Sequence, residues 1–164
     1  MSGGASTWAF QEDDARQIRE IMTALLDETG ARTALIVDRT GQMVATAGEP
    51  PTFDPTAFAS LTAADFSAND QLARMLGEPE FGALVHQGER ESMYLADVAR
   101  RVILVVLFDS RTTLGLVKLR ARATVSRLGE VFTAMFSRDG TSAPGVETGF
   151  VGDAEDEIDK LFGA

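Results

Sequence analysis

Seven consecutive residues, Val102-Ile103-Leu104-Val105-Val106-Leu107-Phe108, carry no polar side chain. The run is rich in β-branched residues and too short to span a membrane. It does not alternate apolar with polar, so as a strand it must be covered on both faces. Such a strand sits inside a sheet with helices above and below, and 164 residues suffice for one core of that kind.

The rest of the chain supplies the other layers. Gln11–Thr29 has a helical stripe of Ala15, Ile18, Met22 and Leu25, and Gly30 stands where a left-handed cap is wanted. Thr33–Val37 reads as a second buried strand, Asp38–Gly41 as a hairpin turn, and Met43–Thr46 as the return strand. Asp54 and Pro55 are an N-cap and first-turn pair for a helix that Gly77 and Pro79 end. Strands are expected at Ala83–Gln87, Ser92–Val98 and Arg101–Phe108. Thr113 caps a last helix with the stripe Leu114, Val117, Ala121, Leu128, Phe132 and Met135. The domain is expected to occupy residues 1–137, followed by a Gly-rich linker over 138–152 and an acidic segment over 153–164. In that segment Ile158, Leu161 and Phe162 stand at i, i+3 and i+4.

Chemistry is excluded more readily than assigned. Without cysteine there are no disulfides, thiolate metal sites or cysteine nucleophiles. The P-loop dipeptides Lys-Ser and Lys-Thr and the Gly-x-Gly-x-x-Gly fingerprint are missing, and the single histidine, His86, has no second histidine to share a metal. No catalytic residue, metal site or cofactor is expected. A net charge of −10 disfavours nucleic acid and anionic membranes. The first residues show no secretory pattern, which makes the cytoplasm the expected location. Against the acidic background, Ser110–Gly129 contains no carboxylate but carries Arg111, Lys118, Arg120, Arg122 and Arg127. They form either a contact for an acidic partner or a solvated helix face.

The second helix is apolar on two sides. Phe58, Leu61, Ala64, Ala68, Leu72 and Met75 read as its core stripe, and Ala59, Ala63, Phe66 and Ala73 as a second face open to a partner.

The element order, together with Ala31–Asp38, Leu61–Ala63, Leu76–Glu78, Val85–Glu89 and Arg101–Asp109 running on to Leu114–Leu119, resembles the roadblock, or dynein light chain, family, and within it the bacterial MglB proteins. Ile158–Phe162 resembles the MglB tail. The resemblance implies an α/β roadblock fold of order α-β-β-α-β-β-β-α, with a five-stranded antiparallel-rich sheet between helices and a short C-terminal helix. It also implies a homodimer that is not itself an enzyme but activates hydrolysis by a Ras-like small GTPase of the MglA type, in cell polarity or gliding motility. The GTPase contact is then expected at Ala63, Ser67, Asp70, Gln71, Arg74, Lys118, Arg120 and Arg122. The dimer interface is expected at Ala59, Phe66, Ala73 and Val85, and a tail contact that assists nucleotide exchange at Ile158, Leu161 and Phe162. The run Ala64–Gln71 is bulkier and more acidic than the small residues usual there in MglB. A scaffold that binds without stimulating hydrolysis, and a small-molecule sensor, are the competing readings.

Overall fold

A computed structural model describes residues 10–142. The elements follow the expected order: α1 (Glu12–Thr29), β1 (Thr33–Asp38), β2 (Met43–Gly48), α2 (Pro55–Met75), β3 (Ala83–Gln87), β4 (Ser92–Val98), β5 (Val102–Phe108) and α3 (Leu114–Ser142). The strands form one sheet in the order β2-β1-β5-β4-β3, every pair antiparallel. The apolar run forms β5, in the centre, with Leu35 opposite Val105 on one side and Leu95 opposite Val105 on the other.

The expected local signals operate. Gly30 caps α1 at φ 77° with its N–H on the Leu26 carbonyl. Asp54 Oδ1 accepts from Thr56 N–H at 3.1 Å, and Thr113 Oγ1 accepts from Leu116 N–H at 3.2 Å. Asp38 Oδ1 gathers the N–H groups of Thr40 and Gln42, closing the β1–β2 turn around Gly41. The β4–β5 turn gave no glycine signal. Ala99 and Arg100 both adopt positive φ there, and Asp97 Oδ2 accepts from Arg100 N–H at 3.1 Å.

Alternation along the strands sorts the core into two layers. Leu35, Val37, Leu95, Ile103 and Val105 pack against Ala59, Ala63 and Phe66 of α2. The alternate residues, among them Ile36, Leu104 and Val106, are fully buried toward the opposite face. Tyr94 and Ala96 share that face and border Lys118, Arg122 and Val125 of α3.

The chain divides into two compact units between Phe132 and Thr133. The first holds the sheet, α1, α2 and most of α3, in which Val117, Ala121, Leu128 and Phe132 are buried. The second begins with the last turns of α3, and the helix continues to Ser142, beyond the expected domain end at Ser137. Residues 143–152 of the expected linker and the tail residues Ile158, Leu161 and Phe162 lie outside the described residues. Among the described residues no helix is long and apolar enough to cross a membrane.

Candidate functional site

The site is built on α2, whose rotation reverses the expected faces. Ala59, Phe66 and Ala73 are 0–1% exposed and Ala63 is also buried, all within the chain's own core. They are therefore not free to form a dimer interface, and Ala63 is not free to touch a GTPase. Of the residues read as the core stripe, Leu61 at 71%, Leu72 at 55% and Met75 at 82% are exposed, with Leu76 at 73% just past the helix, while Phe58 is half-buried against the core. The physical reason is fit. Three alanines and one phenylalanine let the helix approach the sheet closely, which the larger leucines would prevent.

Two polar contacts hold the rotation. On one flank Asp65 Oδ2 lies 2.6 Å from His86 Nε2 on the edge strand β3. On the other, Arg39 of the β1–β2 turn donates to Asp70 Oδ2 at 2.7 Å. Arg39 also donates to Asp97, and its guanidinium stands 4.8 Å over the Phe66 ring. Its two carboxylate hydrogen bonds raise its pKa against the opposing effect of partial burial. Along the chain this position carries hairpin turn chemistry alone. Its role as a clasp joining α2, β1 and β4 depends on partners 31 and 58 residues away and has no local signature.

These anchors divide the exposed part of α2. At about 100° per residue, Leu61, Leu72 and Leu76 fall within about 40° of Asp65, on the flank beside β3. Among the described residues strand β3 pairs with β4 only, so an apolar stripe runs alongside an open sheet edge. Val85 is half-buried on that edge strand, on the face turned away from α2. Ser67 and Arg74 fall within about 60° of Asp70, on the opposite flank. With Gln71 they are exposed, while Asp70 is engaged by Arg39.

The basic residues of α3 do not join them. Lys118 and Arg122 border Tyr94 and Ala96, on the other side of the sheet from α2. Arg120 is exposed on the far flank of α3, roughly 160–200° around from both. The eight expected GTPase-contact residues thus separate into an α2 group and two α3 groups.

A cavity of about 610 Å³, which has no signature along the chain, lies between the loop preceding α2 and the β3–β4 turn. Its walls include Pro50, Phe53, Met93 and Leu107. At its rim Arg32 donates to Glu49 Oε2 at 2.8 Å and also to Glu91, so those charges are already paired. Among the described residues no group of three or more His, Asp or Glu is placed to hold a metal ion.

Residues 9–108 match the model of the roadblock/LC7 domain. The chain belongs to the roadblock/LC7 family. Within it the chain is similar to MglB of Myxococcus xanthus, at 38% identity and a TM-score of 0.69, over 72% of this chain and 96% of that one. It is similar also to the gliding protein MglB of Thermus thermophilus, at 32% identity and a TM-score of 0.71, over 76% and 95%. An MglB structure in a tetrameric arrangement matches with the same identity and TM-score, over 76% and 94%. Among curated proteins the sequence has no significant match. The fold is the mixed α/β roadblock fold, with three helices and a five-stranded antiparallel sheet among the described residues.

Proposed function

We propose that this roadblock protein is a homodimeric regulator of an MglA-type, Ras-like small GTPase that stimulates GTP hydrolysis without being an enzyme itself. The observation that carries the reading is that α2 has two exposed flanks of different character. Leu61, Leu72 and Leu76 lie beside the open β3 edge, and a second copy meeting edge to edge would extend the sheet and cover them. Ser67, Gln71 and Arg74 remain free on the opposite flank for the GTPase, with Asp70 braced beside them by Arg39. The similarity to two MglB proteins above 30% identity supports the same assignment, and with it a role in polarity or gliding motility in the cytoplasm.

Such a regulator acts by placement. Phosphoryl transfer is limited by positioning the attacking water and stabilising charge, so a rigid surface that holds mobile GTPase segments in one arrangement accelerates hydrolysis. The acidic segment 153–164 is assigned a second contact on the GTPase that favours nucleotide exchange. The cavity near Phe53 does not favour the sensor reading, because its charged rim is engaged in internal ion pairs.

The deciding measurement is single-turnover GTP hydrolysis by the MglA-type GTPase with and without this protein. Stimulation that disappears in Ser67→Arg, while light scattering still reports a dimer, supports the assignment. Tight binding without any rate change makes the protein a scaffold.

A further inference from the structure

The sheet separates Lys118 and Arg122 from the α2 flank assigned to the GTPase, which leaves these two cations in need of a different role. They overhang a groove of about 440 Å³ whose walls include Val85, Tyr94, Ala96 and Val125. We propose that this groove docks an acidic amphipathic helix of a partner protein, with carboxylates on Lys118 and Arg122 and apolar side chains over Val85 and Tyr94.

Charge complementarity is the main argument. The chain has 25 acidic residues against 15 basic ones, and among the described residues some basic side chains take carboxylate partners while others, Arg74 and Arg120 among them, take none. Arg32, Arg39 and Arg111 each contact two. Among the described residues Lys118 and Arg122 contact none, and the stretch Ser110–Gly129 around them has no acidic residue to offer. The acid lining the groove, Asp97, is already bound to Arg39 and to the Arg100 N–H. Two neighbouring cations therefore stand beside a largely apolar surface without a counter-charge.

Spacing and surroundings narrow the occupant. Lys118 and Arg122 are one helical turn apart, about 5–6 Å, which matches carboxylates at i and i+4 on a second helix lying along α3. Tyr94 is nearly buried; burial raises the pKa of its hydroxyl, and the nearby Arg122 guanidinium opposes that rise. Arg122 therefore joins the cationic rim to the aromatic wall. The groove opens on the face opposite the α2 stripe, so this docking does not depend on the GTPase reading.

The test uses the full chain and a fluorescein-labelled fourteen-residue synthetic probe, an amphipathic helix with Leu on one face and Glu at i and i+4 on the other. The expected result is saturable anisotropy that weakens as salt rises, reduced at least tenfold in Lys118→Glu/Arg122→Glu. Arg120→Glu and Ser67→Arg should bind the probe like the parent. Both cations are exposed, so the double variant should fold, which circular dichroism checks. Equal binding by the double variant would overturn the proposal, and so would equal loss in Arg120→Glu. A probe with every Leu replaced by Ser that bound equally well would reduce the site to nonspecific charge attraction. A tenfold gain in affinity on deleting residues 153–164 would assign the groove to the chain's own acidic segment and overturn docking of a separate partner.

Discussion

Arg39 is one of the two polar anchors of α2. It ties Asp70 to Asp97 from a position about one-third exposed, between the regimes of surface and buried ion pairs. Arg39→Ala should lower stability in urea denaturation by about 2 kcal/mol, because both carboxylates lose their counter-charge. Gly48 constrains the chain differently. It has φ 86°, and a Cβ there would stand 2.4 Å from the Arg32 carbonyl oxygen and 2.6 Å from Leu26 Cδ1. Gly48→Ala should cost about 3 kcal/mol, from overpacking added to backbone strain. Gly77 has a similar φ of 81° but nothing near its missing Cβ, so Gly77→Ala should cost only about 1 kcal/mol in the same assay. Asp109 gives a pH signature. Hydrogen bonds from the Arg111 side chain and backbone hold its carboxyl below the ordinary carboxylate value. The native state then binds fewer protons at Asp109 than the unfolded chain does. Its contribution is complete above the unfolded pKa and is lost as pH falls through the lowered native value. Urea stability measured from about pH 5 down to about pH 2 should fall less steeply in Asp109→Asn than in the parent.

At the scale of the element, α2 shows why a helix with two apolar sides is ambiguous. Its buried side carries Phe66 with Ala59, Ala63, Ala73, Thr62 and Asn69, while its exposed side carries leucines and a methionine. Phe66→Ala should destabilise the fold by about 3–5 kcal/mol, since Phe66 is a large, fully buried side chain in the core between α2 and the sheet. Leu72→Glu should leave the circular dichroism spectrum unchanged but convert the dimer to a monomer in light scattering at micromolar concentration. A Leu72→Glu protein that stayed dimeric would show that a second copy docks elsewhere.

For the whole molecule, the sheet acts as a partition. The α2 flank with Ser67, Gln71 and Arg74 lies on one side, and the groove with Lys118 and Arg122 on the other. Substitutions on the two faces share no partners and should act independently. Lys118→Glu/Arg122→Glu should leave stimulated GTP hydrolysis as it is, and Ser67→Arg should abolish it. Combining them should give the Ser67→Arg result in turnover and the charge-reversal result in peptide binding.

The sequence alone determined the features governed by neighbours along the chain: the strands from their β-branched runs, the helix ends from Gly30, Asp54 and Thr113, and the first hairpin from Asp38 to Gly41. The order of those elements, together with the resemblance of strings such as Arg101–Asp109 to roadblock sequences, indicated the roadblock fold. Tertiary structure alone decided which way α2 turns, that Arg39 clasps Asp70 and Asp97, and that Lys118 and Arg122 belong to a different face from Ser67. Periodicity reports that a helix has apolar sides, but when two sides are apolar the choice rests on fit against the sheet and on charges 31 and 58 residues away. Those terms act between elements, and only the folded arrangement contains them.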